Sequence, residues 1–130
     1  MSQALSLCGV IQESGRYLVA KRNPGGSQGG KWEFPGGKLE PGESSEQALV
    51  REFAEELSVG IRVGRLLFEG SFTNGEKSYR LEAWETTLLT RDFCLTEHQE
   101  LRWGSWNELA ALDFSDSDRQ VFDSLFAPLG

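Results

Sequence analysis

Long apolar runs are absent from this chain of 130 residues. None of its hydrophobic stretches approaches the ~18–20 consecutive residues that a membrane-spanning helix requires, so no such helix is expected. Met1-Ser2-Gln3-Ala4 brings no basic cluster ahead of an apolar stretch; no secretory signal is expected, and the expected location is cytoplasmic. Cysteine is scarce. Cys8 and Cys94 lie too far apart for a metal or redox motif, and both are expected to be reduced, mostly buried thiols. Basic residues are outnumbered: thirteen Lys and Arg against twenty Asp and Glu leave a net charge of -7. Such a surface repels a nucleic-acid polymer and an anionic bilayer, both of which bind through Lys and Arg. A small phosphorylated ligand fits this chain only where cations stand between it and the protein's own negative groups.

What is present reads as one ordinary globular domain over residues 1–130, with 38% hydrophobic and 25% charged residues. No repeat or linker divides it. Leu5–Gln12 and Arg16–Arg22 alternate as strands around the turn Glu13-Ser14-Gly15. Asn23–Lys31, with four glycines and a proline, reads as a mobile loop. Trp32–Phe34 is a short strand that stops at Pro35-Gly36-Gly37. A helix is predicted from Ser44 or Ser45 to Leu57, with serine caps and Gly60 past its end. Ile61–Thr73 and Ser78–Leu89 flank Asn74-Gly75, a strong hairpin signal. Leu101–Trp106 follows as a strand, Ser105 caps a short helix through Leu112, and Asp116 or Ser117 opens a last helix through Phe126. This order predicts an α+β fold, an α/β/α sandwich around one mixed sheet.

The chemistry concentrates on the first helix. At 100° per residue, Leu49, Val50, Phe53, Ala54 and Leu57 fall on one apolar arc, and Glu52, Glu55 and Glu56 are expected together on the opposite side. Like charges at these spacings repel by roughly 0.2–0.5 kcal/mol per pair, and no lysine interleaves. A solvated acidic face would explain them, but a hard divalent cation compensates them better. Oxygen donors of this kind suit Mg²⁺, with Mn²⁺ as a substitute.

The stretch from Gly37 to Val59, GKLEPGESSEQALVREFAEELSV, resembles the Nudix box: Gly37, Glu43, Arg51-Glu52, an apolar Phe53, Ala54, then Glu55-Glu56. Six fixed positions at residue frequencies near ~6% coincide in a chain this long with a probability on the order of 10⁻⁵. One position departs, Ser58 standing where the box has glycine, which alters the helix exit and not the ligands. The lead-in Lys31-Trp32-Glu33-Phe34-Pro35-Gly36-Gly37-Lys38 and the segment Ala20-Lys21-Arg22 resemble the MutT-like branch of that family. Glu97-His98-Gln99-Glu100-Leu101-Arg102-Trp103 resembles the bacterial CTP pyrophosphohydrolases within it.

The resemblance implies a Nudix fold and cleavage of a nucleoside triphosphate to a monophosphate and pyrophosphate. Carried onto this sequence, it implies metal binding by Glu52, Glu55, Glu56, Glu97 and the Gly36 carbonyl, with Glu52 as general base and Glu97 as the other candidate. Gly37, Glu43 and Arg51 become structural parts of the box, the last two as an ion pair fixing the loop to the helix. Arg22 and Lys38 are expected at phosphates, and Phe34 and Asp118 at the base, where a carboxylate accepts from an exocyclic amine such as cytosine N4. Phe34 equally fits the core, Asp118 a helix N-terminus, and Lys38 a solvated loop. His98 is expected at the surface or behind the ligands, and Trp84, Trp103 and Trp106 at the core or its rim. A pyrimidine triphosphate is the expected substrate, an oxidised purine triphosphate such as 8-oxo-dGTP the alternative, and an inactive nucleotide-binding module a weaker one because no glutamate is lost. A monomer or a homodimer is expected, without membrane or nucleic-acid partners.

Overall fold

The computed structural model describes residues 4–26 and 28–125. Its elements in chain order are β1 (Ala4–Val10), β2 (Gln12–Glu13), β3 (Arg16–Arg22), β4 (Trp32–Glu33), β5 (Gly36–Lys38), α1 (Ser45–Leu57), β6 (Ile61–Asn74), β7 (Lys77–Leu88), β8 (His98–Gly104), α2 (Trp106–Leu109) and α3 (Asp116–Leu125). The strands form two four-stranded sheets. One runs β5-β1-β7-β6 and is mixed, β1 pairing parallel to β7 and antiparallel to β5. The other carries β2, β3 and β4 with β8 on β3, all antiparallel. Period-two alternation sends Leu7, Ile11 and Leu18 to the α1 side, whereas Cys8, Val10 and Val19 join Phe114, Val121 and Phe122 on the other. Two apolar clusters thus back the strands, with helices outside both. Among the described residues no helix is long and apolar enough to cross a membrane.

Pro35 is where the chain leaves one sheet for the other. The sequence ends its strand there, but Gly36–Lys38 forms β5, opposite Ser6–Cys8 of β1. A side chain at Gly36 would place its Cβ 2.0 Å from the Leu7 carbonyl oxygen, so only glycine admits this approach. Strand β8 begins at His98, earlier than Leu101, and gives way at Gly104 to the Ser105 cap; α2 stops at Leu109 rather than Leu112. Phe126, the expected end of the last helix, lies outside the described residues. The hairpin turns one residue later than Asn74-Gly75 suggests: Asn74 still pairs with Lys77, and Gly75 alone takes positive φ, at 65°. Glycine at the first central position is the II′ pattern, whose twist suits the flanking strands. Cys94 is exposed, contrary to the expectation for both thiols, while Cys8 is buried.

Helix α1 starts on a reciprocal capping box between Ser44 and Gln47 and ends at Ser58, which takes the left-handed φ of 61° that glycine adopts more easily. Its buried residues are Ala48, Leu49, Phe53 and Leu57. Gly9 of β1 leaves room for the Phe53 ring, which would stand 2.8 Å from a Cβ there. Burying one such apolar side chain stabilises by ~1.5–3 kcal/mol, several times the repulsion within a pair of acidic neighbours. Packing therefore decides how α1 lies, and it rolls the helix away from the predicted arc. Val50 is 39% exposed, while the Glu52 and Glu56 side chains, each 14% exposed, are drawn in beside Leu49 and Phe53. The glutamates do not share an outer face; only Glu55, at 60%, is in solvent.

Candidate active site

Arg51 organises the loop that enters α1. Its Nε donates to Glu43 Oε2 at 2.7 Å and its Nη2 to Glu43 Oε1 at 2.9 Å, a two-pronged ion pair that holds Glu43 below the ordinary carboxylate range. Nη2 also donates to the Lys38 carbonyl at 3.1 Å, and Nη1 to Glu52 Oε1 at 2.6 Å and Glu55 Oε2 at 3.4 Å. One guanidinium thus ties β5, the loop and two box glutamates together. Gly37 completes the arrangement by having no side chain: a Cβ would stand 2.4 Å from the Glu52 carboxyl carbon.

Glu56 is the most strained charge in this region. Removal from water, then hydrogen bonding to Glu52, then the charges of Glu52 and Glu33 push its pKa up to about 9, against a smaller pull from Arg22. Its Oε1 is buried with no hydrogen-bond partner among the described residues. His98, fully inside the protein, sets Nε2 at 2.7 Å from Glu33 Oε2 and 3.9 Å from Glu56 Oε1. Ligand atoms of Glu33, Glu56 and His98 all lie within 4.8 Å of one another. The Arg22 guanidinium donates to Glu33 Oε1 at 3.3 Å. Burial works against its charge, yet Glu33, Glu56 and Glu97 outweigh that and raise its pKa. Glu97 itself is exposed just before β8, its carbonyl accepting from the Asn23 N–H at 3.1 Å.

A cavity of about 380 Å³ runs from this region to α3, its lining including Arg22, Glu33, Gly36, Gly37, Lys38, Phe72, Tyr79 and Ser115–Asp118. That volume suits a small organic ligand. Asp118 accepts from the Phe34 backbone N–H at 3.0 Å through Oδ1 and from the Ser115 hydroxyl at 2.6 Å through Oδ2. Burial first and the Glu33 charge second raise it to about 7, although both hydrogen bonds pull the other way. Cys8 beside it stays a thiol, since burial and the charges of Asp118 and Glu33 hold it well above the ordinary range. Phe72 and Tyr79, cross-strand partners on the hairpin, stack with centroids 5.0 Å apart, and Lys38 Nζ lies 5.0 Å over the Tyr79 ring.

Most of the residues singled out in the sequence therefore meet around one cavity: Arg22, Phe34, Gly36, Gly37, Lys38 and Asp118 line it, and Glu43, Arg51 and Glu52 brace its glycine turn. Phe34 is a core residue, 2% exposed and stacked on Phe114 at 5.9 Å. Glu55 and Glu97 stand outside, in solvent. His98 is buried and not at the surface. Glu33 was not singled out as a site residue, although a carboxylate between Trp32 and Phe34 in an apolar strand demands buried partners. The Phe72–Tyr79 pair was hidden as well, because Asn74-Gly75 taken as the turn sets Phe72 opposite Lys77, whereas the strands close at Asn74 and Lys77.

Known proteins resemble this chain over most of its length. The NUDIX domain model matches residues 2–125. The CTP pyrophosphohydrolase of Escherichia coli (strain K12) is 34% identical over 118 residues, covering 91% of this chain and 87% of that protein. The 8-oxo-dGTP diphosphatase of Proteus vulgaris is 45% identical over 58 residues, covering 45% of this chain and 52% of that protein. Among solved structures, the E. coli ORF135 protein superposes with a TM-score of 0.82 at 32% identity, covering 95% of this chain and 89% of that one.

Proposed function

Because the chain belongs to the Nudix hydrolase family, in its MutT-like branch, we propose that it cleaves nucleoside triphosphates to a nucleoside monophosphate and pyrophosphate, favouring cytosine nucleotides. One observation carries the reading: a single cavity holds a half-buried carboxylate, Asp118, together with the Arg22 and Lys38 cations and the glycine turn against which Glu52 packs. A nucleotide carries the matching groups, an N–H donor on the base and anionic oxygens on its phosphates.

The donor set fits a hard divalent cation, Mg²⁺ or Mn²⁺. Glu56 Oε1 is buried without a hydrogen-bond partner among the described residues, and Glu52 and Glu56 crowd one another in a way that positive charge relieves. We assign Glu52, Glu55, Glu56, Glu97 and the Gly36 carbonyl to hold it, with Glu33 and His98 beside Glu56. When bound there, such an ion neutralises polyphosphate charge and lowers the pKa of a water. The remaining work belongs to side chains. Arg22 and Lys38 take phosphate oxygens. Glu52 accepts the proton of the attacking water; unlike the exposed Glu97 it is shielded and held at Oε1 by Arg51, which fixes its direction. Arg51 and Glu43 position that group without touching substrate. Asp118 accepts from the exocyclic amine of the base, and Phe34 serves it through its backbone N–H, which orients Oδ1. The Phe72–Tyr79 pair offers the base an aromatic wall.

Pyrophosphate release from CTP, 5-substituted dCTP and 8-oxo-dGTP, with and without Mg²⁺, tests this. The reading expects metal-dependent turnover with a cytosine nucleotide first. Leading turnover of 8-oxo-dGTP would replace the substrate assignment, and inactivity on the whole panel would overturn the reaction.

A further inference from the structure

Gln28 is a polar side chain to which the reaction above gives no task. It stands in the loop between β3 and β4, lines the cavity, and has its Oε1 buried with no hydrogen-bond partner among the described residues. The described residues of this loop hydrogen-bond among themselves and to the end of β3. Lys31 N–H donates to the Gln28 carbonyl at 3.2 Å, Gly29 N–H to Gly26 at 3.3 Å, and Gly30 N–H to Arg22 at 3.2 Å. Gly29 approaches Gly25 so closely that a Cβ would stand 2.3 Å from the Gly25 carbonyl oxygen. At its base, Asn23 Nδ2 donates to the Thr96 carbonyl at 3.2 Å and Gln99 Nε2 to the Arg22 carbonyl at 2.9 Å. A buried amide oxygen without a donor disfavours folding, and native proteins rarely leave one at a fixed position without a use.

An amide oxygen accepts and never donates, and the oxygens of a polyphosphate are acceptors as well. The partner must bring a proton. On a nucleotide only the sugar hydroxyls and the N–H groups of the base do so. We propose that Gln28 Oε1 accepts a hydrogen bond from the nucleoside part of the substrate, which makes Gln28 a specificity residue separating nucleotides from bare polyphosphates. The proposal rests on the nucleotide reading above. Gln28, from the loop between β3 and β4, and Asp118, from the first turn of α3, then form a pair of acceptors, and both select for donors.

The test is Gln28→Met, which keeps length and removes the acceptor. For whichever of CTP, 5-substituted dCTP and 8-oxo-dGTP is cleaved best, KM rises on the order of tenfold while kcat stays within about twofold, as expected for one lost hydrogen bond to substrate. Inhibition by inorganic pyrophosphate is unchanged, since it carries no nucleoside. The ligand-free variant melts at or above the wild-type temperature, because a donorless oxygen has gone. Calorimetric titration with CMP, dCMP and 2′,3′-dideoxy-CMP assigns the donor: a variant penalty that vanishes with the dideoxy ligand places it on the sugar, and one that persists places it on the base. Unchanged KM and CMP affinity overturn the proposal. So does weakened pyrophosphate inhibition in step with KM, or a lowered melting temperature, either of which marks Gln28 as a brace for the loop. A wild-type protein that cleaves no triphosphate overturns the reaction assigned above, while the CMP titration still decides Gln28.

Discussion

Substituting Glu56 with Gln should make the metal-free protein more stable and nearly inactive at once. The wild-type carboxyl binds its proton up to about pH 9 in the fold, against an ordinary value of 4.5. Between those limits the folded state holds more protons than the unfolded one, so stability falls as pH rises, by at most ~1.4 kcal/mol per pH unit. Asp118, raised to about 7, adds its own loss only below that pH, and the Cys8 thiol, already above 9, contributes only at higher pH. The range from pH 7 to 8.5 therefore isolates Glu56. Over it the wild type should lose up to ~2 kcal/mol, a drop of roughly 6–9 °C in melting temperature for a domain this size. Glu56→Gln has no such charge and its stability should be nearly flat. Thermal melts in EDTA at four pH values, followed by Mg²⁺ addition, read both effects. At pH 8.5 saturating Mg²⁺ should restore the wild type, by ~2.7 kcal/mol at a hundredfold excess over Kd, and leave the variant unmoved. A variant that melts below wild type at pH 8.5 without metal, or one that retains the slope, would refute the claim that Glu56 is a strained, ion-seeking carboxylate.

Three further substitutions separate the roles of neighbouring groups. Ser58→Gly relieves a left-handed φ of 61° and should stabilise by ~1 kcal/mol, read by urea unfolding, with turnover unchanged. Gly37→Ala would set a methyl 2.4 Å from the Glu52 carboxyl carbon; kcat should fall at least ~100-fold while circular dichroism stays native, and near-normal kcat would separate Glu52 from the reaction. Asp118→Ala should change the ratio of kcat/KM for CTP against UTP more than the rate on the better of the two. Equal losses on both would give Asp118 only the task of bracing Phe34 and Ser115.

Helix α1, its serine cap and the loop clamp around Arg51 were legible because each rests on local spacing: a cap satisfies amides three residues on, and the Nudix box fixes Glu43 and Arg51 together. The tilt of the helix was not. Its direction depends on Gly9 in a distant strand admitting the Phe53 ring, a contact no helical wheel contains. For the same reason Glu56 was expected on an outer face with Glu52 and Glu55, whereas tertiary packing encloses it. Strand β5 was hidden because glycine and proline speak locally for a stop, whereas the pairing with β1 is supplied by a segment some thirty residues earlier. Glu33 and His98 carry weak signals separately and meaning only once β3, between β4 and β8, brings them within 2.7 Å.

The passage of the backbone through Phe34, Pro35, Gly36 and Gly37 works as a ruler. Its first amide grips Asp118 and its last residue carries the turn on which Glu52 leans. Three residues of extended chain separate the two, a reach of at most ~11 Å. In the reaction proposed above, the base contact and the cleaved bond would thus be held at a set spacing by main chain, which side-chain replacement barely alters. Such a device lets selectivity drift through changes at position 118 without misplacing the cut, and it resists any insertion between the two marks.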